Sequence, residues 1–421
     1  MRARRSREIG DDRRIPSRAL AAVAGLLLAV LLLAPAAASA SVGAQVTSIL
    51  SRQGLAGSGT SVGVYDLTGK QPLYGLRRDA LRLPASNEKL VTAAAALVDW
   101  SAAHRFGTEL YGPVTGPDAA GVLDGDVYLK GLGDPSLRTA GLGVFVAKLQ
   151  SFGITKITGR VLADDGYFDA LRTVPGWRPG MVLYCGPLSA LTLDEGYSPG
   201  GRYVADPALW AAGKLTALLR AAGIKVVHAA ARGVVPTDAT RLGAESSATL
   251  THILARMNKE SDDFYAEELL KGLGASFGGS GTTAAGATVA VQNLKALGVA
   301  DGFRIRDGSG LSYHDKLSAH AIVRLLEAMS RRADFATYWG SLSVAGRDGT
   351  LAGRMKGTLA AGNVHGKTGT LAAASCLSGY VTSANGHLLA FSILMNGRGL
   401  SQTRAHDAQD KVAEALAASS P

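Results

Sequence analysis

The sequence predicts an α+β fold: an antiparallel sheet with flanking helices, and a β-rich block inserted into it. Three observations predict this. Strand patterns open and close the chain, at "TSVGVYDL" and "QPLYGLR" near the start and at "VHGKTGTL", "SCLSGYVTS" and "HLLAFSILMN" near the end. Helical periodicity dominates from Ser246 to Arg332. From Phe106 to Leu242, short alternating runs are broken by Gly, Pro and Asp, which reads as a separate β-rich segment.

The elements follow in order. Met1 to Arg18 carries seven arginines against Glu8, Asp11 and Asp12. Ala19 to Ala34 is an apolar run, and Ala38 and Ala40 stand where a signal peptidase prefers small residues. Residues 1–40 are therefore expected to be a secretory signal peptide, and the protein to be exported to the periplasm or cell envelope, or outside the cell. Counted through Ala38, the same run reaches about 20 residues, enough for an uncleaved membrane anchor. Val42 to Gln53 reads as a helix, and "TGK" as the turn of the first hairpin. "PASNEKLVTAAAALVDW" reads as a strong helix opened by Pro84. The middle block has one clear helix, "DPALWAAGKLTALLRAAG". Four helices follow, at "SATLTHILARMNK", "DDFYAEELLKGLG", "TTAAGATVAVQNLKALG" and "SAHAIVRLLEAMSRR". Three strands at hairpin spacing and a last helix, "SQTRAHDAQDKVAEALA", close the chain. The expected domains are 41–105 with 243–421 as one unit, and 106–242 as the insertion.

Composition narrows the function. At 421 residues, 47% hydrophobic and 19% charged, the chain is globular. Its net charge of +10 falls to about +6 without residues 1–40, and the excess is spread out. That suits an anionic cell envelope. No basic stripe with interleaved aromatics appears, so no nucleic-acid partner is expected. Cys185 and Cys376 fit a disulfide or two buried thiols equally well. The eight histidines form no metal-ligand spacing, and neither metal nor cofactor is expected.

Three short motifs carry chemistry. In "SNEK", Ser86 and Lys89 are i and i+3, which puts them on one helix face about 5–6 Å apart at Cβ. A serine hydroxyl becomes a good nucleophile when a neighbouring base takes its proton. A lysine serves if burial or nearby cations lower its pKa. In "ESDDFYAEELLK", Ser261 and Asp262 are placed to cap a helix, or Ser261 is placed to pass a proton. In "VHGKTGTL", Lys367 precedes Thr368, Gly369 and Thr370. A phosphate loop would require glycine at 361, where Ala361 stands, and a following helix, where a strand pattern stands. Lys367 instead fits an anion anchor on a strand, with glycine allowing substrate backbone to lie close.

Ser-x-x-Lys, a Ser-x-Asn relative and Lys-Thr-Gly, in this order, resemble the motif set of the penicillin-recognising serine enzymes. More narrowly, the chain resembles the D-alanyl-D-alanine carboxypeptidase/endopeptidase family of class C penicillin-binding proteins. "LPASNEKLVTAAAAL", "YLKGLGDPSL", "RDGSGLS" and "VAGRDGTLAGRM" carry the likeness, as do the 175 positions from Ser86 to Ser261. The resemblance implies a penicillin-binding-protein/β-lactamase-like transpeptidase fold. It implies peptidoglycan stem peptides as substrates and β-lactam antibiotics as acylating ligands. Ser86 would be the nucleophile, Lys89 its base and Ser261 a proton relay. Lys367 and Thr368 would hold the substrate carboxylate beside Gly369. The N–H groups of Ser86 and Thr370 would form the oxyanion hole.

One position departs from that pattern. Asp263 stands where the family has asparagine. Asparagine both accepts and donates, whereas an ionised aspartate only accepts. Its charge would favour the protonated form of Lys89 and weaken it as a base. The expectation is a working site with altered acylation. A catalytically weakened wall-binding or scaffold homologue is the alternative that Asp263 supports. A β-lactamase is disfavoured by the long insertion and by "DGSGLS". A Ser-His-Asp hydrolase is disfavoured by the lack of a Gly-x-Ser-x-Gly elbow.

Overall fold

A six-stranded antiparallel sheet joins the two ends of the chain. In a computed structural model, which describes residues 41–421, its order is Ser343–Val344, His365–Leu371, Ala374–Thr382, Leu388–Asn396, Thr60–Asp66 and Gln71–Leu76. Thr60 pairs with Met395 and Asp66 with Leu389, so the first and last strand groups close into one sheet as the element order predicts. The expected signal peptide or anchor lies outside the described residues. Among the described residues no helix is long and apolar enough to cross a membrane.

Both faces of this sheet are covered. Side chains alternate along a strand, so Leu389, Phe391, Ile393 and Met395 face one core and Ala390 and Leu394 the other. The first core is closed by the helices Val42–Arg52 and Gln402–Ala418, through Val46, Leu50, Val412 and Leu416. The second is closed by Lys89–Asp99, Asp263–Phe277, Thr283–Ala296 and Ala319–Ser330. Lys89–Asp99 is buried from Lys89 to Leu97, and its run of alanines lets neighbouring helices approach closely.

The helix opened by Pro84 starts later than the sequence predicts. Ala85–Glu88 forms one 3-10 turn, and the α-helix begins at Lys89. Ala85 has a left-handed backbone (φ 47°), which an α-helix cannot continue through. In a 3-10 turn, residues i and i+3 eclipse, so Ser86 still meets Lys89.

Residues 107–246 build their own sheets and core. Thr240–Ser246, Gly107–Gly112, Val127–Gly131, Val161–Asp164 and Ala231–Arg232 form a mixed five-stranded sheet. The first three pair antiparallel and the last three parallel. Residue 242, the expected end of the block, falls inside the strand Thr240–Ser246. The predicted helix is Pro207–Ala221, with Pro207 in its first turn and Asp206 accepting from the Leu209 N–H. A second helix, Gly143–Ser151, was not predicted; it opens on a glycine and spans only nine residues. Cys185 and Cys376 are free, buried thiols.

Candidate active site

Four elements meet at Ser86. The first is its own turn, in which Ala85, Asn87, Glu88 and Lys89 are buried and Ser86 alone is partly open. Lys89 Nζ lies 3.1 Å from Ser86 Oγ, 2.5 Å from Asp263 Oδ1 and 2.8 Å from the Ser309 carbonyl oxygen. The second is the start of the helix Asp263–Phe277. Here the two readings of "SDD" separate onto two residues. Asp262 caps the helix, accepting from the Tyr265 N–H at 3.2 Å. Ser261, held in a left-handed conformation (φ 58°), is left to meet Lys367.

The third is the strand His365–Leu371. Lys367 is fully buried, and its Nζ lies 2.9 Å from both Ser261 Oγ and the Thr368 carbonyl. Among the described residues no carboxylate stands within ion-pair distance of it. Burial, aided by the charge of Lys89, pushes the Lys367 ammonium well below the ordinary lysine range, with Asp263 opposing. Gly369 is the contact point between strand and turn. A Cβ there would stand 2.8 Å from the Pro84 carbonyl and 3.0 Å from the Ser86 nitrogen. Asn87 Nδ2 donates to the Lys367 carbonyl at 2.9 Å and ties the same two elements. Thr368 Oγ1 donates to Thr350 Oγ1 at 2.7 Å, and Thr370 is exposed. The fourth is the loop Asp307–Ser312, which presents the Ser309 carbonyl.

The structure thus brings Ser86, Lys89 and Asp263 into one hydrogen-bonded group. Lys367 with Ser261 forms a second group, and Gly369 seats the strand against the nucleophile turn. Sequence reasoning assigned no role to Asn87, Ser309 or Thr350. Ser309 and Thr350 lie in the quoted segments "RDGSGLS" and "VAGRDGTLAGRM", which were the available signal.

The Lys89–Asp263 contact is the departure made physical. Lys89 is fully buried and the Asp263 side chain is 13% exposed. Burial pushes the Asp263 carboxyl above its usual range, while Lys89 pulls it back. Two charges drawn out of water hold each other through a short bond, and removing one strands the other.

Residues 42–201 and 198–419 match the D-Ala-D-Ala carboxypeptidase 3 (S13) family. The chain belongs to this family. Within the S13 family it is 33% identical to a D-alanyl-D-alanine carboxypeptidase of an Actinomadura species, over 94% of this chain and 89% of that one. It is 27% identical to a carboxypeptidase of Mycolicibacterium smegmatis, over 77% and 74% of the two chains. Penicillin-binding protein 4 of Haemophilus influenzae shares the fold. Its TM-score is 0.75 at 21% identity, covering 86% of this chain and 98% of that one. A predatory endopeptidase of Bdellovibrio bacteriovorus has the same fold at a TM-score of 0.56 and 19% identity, over 84% and 90%. The fold is therefore that of penicillin-binding proteins and the chain is a serine peptidase of the S13 family, a hydrolase.

Proposed function

We propose that this protein is an exported serine D-Ala-D-Ala carboxypeptidase/endopeptidase that trims or cleaves peptidoglycan peptides through an acyl-enzyme on Ser86. The observation that carries this reading is the pair of contacts Lys89 Nζ–Ser86 Oγ, 3.1 Å, and Lys367 Nζ–Ser261 Oγ, 2.9 Å. They supply a nucleophile with a base and a buried cation with a hydroxyl. The basic and then apolar character of residues 1–40 supports export.

Ser86 Oγ attacks the carbonyl carbon between two D-alanines and its proton passes to Lys89. The N–H groups of Ser86 and Thr370 receive the charge that develops on the carbonyl oxygen. Collapse breaks the C–N bond, and the leaving amine takes a proton through Ser261. Water then attacks the ester, freeing the shortened peptide and Ser86. Lys367 and Thr368 hold the terminal carboxylate. A buried ammonium without a counterion is costly, so an arriving carboxylate is strongly favoured there. A β-lactam acylates the same serine; its opened ring keeps the leaving amine tethered, and the adduct leaves slowly.

Incubation with muropeptides tests the reading. Uncross-linked pentapeptides are expected to lose one D-alanine, and cross-linked dimers to split into monomers. Unchanged masses in both contradict it. The Lys89–Asp263 pair favours a second reading, a wall-binding homologue with little turnover. That reading requires muropeptide binding with no change in mass.

A further inference from the structure

The loop Asp307–Ser312 gives the site no side chain, yet its backbone is tethered almost atom by atom. Glu267 Oε1 accepts from the N–H groups of Gly308, 3.0 Å, and Ser309, 2.8 Å. Thr92 Oγ1 donates to the Gly308 carbonyl at 2.7 Å. Asp307 accepts from the N–H groups of Gly310 and Ser312, each at 2.7 Å, and from Trp177 Nε1 at 2.7 Å. Gly310 is left-handed (φ 85°), and a Cβ there would stand 1.9 Å from the Ala85 carbonyl oxygen, so the loop is pressed against the nucleophile turn. All this scaffolding presents one atom to the site: the Ser309 carbonyl oxygen, 2.8 Å from Lys89 Nζ.

A free amine has two hydrogens and one lone pair. Lys89 Nζ has three near neighbours, of which the Ser309 carbonyl can only accept and an ionised Asp263 can only accept. Hydrogens directed to those two leave the lone pair for the Ser86 hydroxyl. If the carbonyl drifts, the amine is free to turn and the lone pair leaves Ser86. We propose that Glu267 is a positioning residue that aims the Ser309 carbonyl at Lys89 and so fixes the base's lone pair on Ser86. This rests on Lys89 being the base, as assigned above. Glu267 stands one helical turn after Asp263. A single helix therefore sets both acceptors, one directly and one through the loop.

The groups facing Glu267 come from several elements. Glu88 approaches from the nucleophile turn, with both oxygens buried and, among the described residues, unpartnered. Asp307 approaches from the loop and Cys185 from the short helix Val182–Cys185, while Asp315 stands behind them against Asp307 and Glu88. Burial and mutual repulsion push the Glu88, Glu267 and Asp315 carboxyls up. Glutamine at 267 keeps an acceptor oxygen for both N–H groups and adds no charge. Alanine keeps nothing.

The test follows penicillin acylation of the full protein, separating non-covalent binding from the acylation rate across pH. Glu267→Ala is expected to slow acylation by about 10²-fold, the scale of a misplacement near 1 Å, with penicillin binding unchanged. Glu267→Gln is expected to restore the rate to within a few fold. Wild-type rates in the alanine variant, or equal losses in both variants, overturn the proposal. If Glu267→Ala does not fold, Thr92→Val and Thr92→Ser probe the other tether of the same loop. Serine is expected to keep the acylation rate and valine to lower it, and equal rates in the two overturn the proposal. A wild-type protein that takes no label instead overturns the assignment of Ser86 and Lys89.

Discussion

Lys367→Ala is expected to lower kcat/KM for a peptide ending in free D-Ala-D-Ala by about a hundred- to a thousandfold. Lys367 is buried on the strand His365–Leu371 and among the described residues reaches only a hydroxyl and a carbonyl. Burial disfavours the charge on Lys367, and an arriving substrate carboxylate favours it again. Truncating one partner of such a buried charge pair costs about 2–5 kcal/mol, which sets the range. The control is the same peptide as a C-terminal amide. Its loss in the variant reports the Ser261 and Thr368 contacts without the carboxylate and is expected to be much smaller. Equal losses on acid and amide would show that Lys367 does not hold the carboxylate.

Asp263→Asn is expected to work in the opposite direction, raising the rate of penicillin acylation by about tenfold. Asp263 Oδ1 lies 2.5 Å from Lys89 Nζ, so an ionised aspartate holds in a short charged contact the group that must accept the Ser86 proton. A charge-assisted hydrogen bond is worth about 1.5–3 kcal/mol, and loosening it by about 1.4 kcal/mol on the way to the transition state is a factor of about ten in rate. Asparagine has the same shape, keeps an acceptor for Lys89 and adds a donor. The measurement is stopped-flow labelling with a fluorescent penicillin across pH. An unchanged or slower rate would mean that Asp263 is not what restrains Lys89.

The local parts of the site were legible from spacing, and the distant ones only through the family resemblance. Ser86 and Lys89 are three residues apart, so helical geometry alone joins them. Lys367 sits in a strand whose hairpin spacing is visible, and its partner across the ladder, Ser378, follows from a short turn. The Lys367–Ser261 contact spans 106 positions, and only tertiary packing makes it. The Ser309 contribution is a backbone carbonyl, which leaves no side-chain signal at all. Glu267 and Glu268 are adjacent acids on a helix, a pattern that ordinarily faces water. Both are buried here because N–H groups of the loop and of Ser189 donate to them. The middle block showed its turns and its one long helix, but its strands share it with the helices Gly143–Ser151 and Val182–Cys185, which the turns did not show. Its parallel pairings were hidden, because strands such as Val127–Gly131 and Val161–Asp164 are brought together by a long connection through the helix Gly143–Ser151.

The central claim is that Ser86 forms the acyl-enzyme, with Lys89 as its base. The most direct measurement is the intact mass and peptide map of the protein after incubation with penicillin, beside Ser86→Ala. The account predicts one added penicillin, located on the peptide containing Ser86 and absent from the variant. No adduct on the wild-type protein, or an adduct that persists in Ser86→Ala, would contradict it.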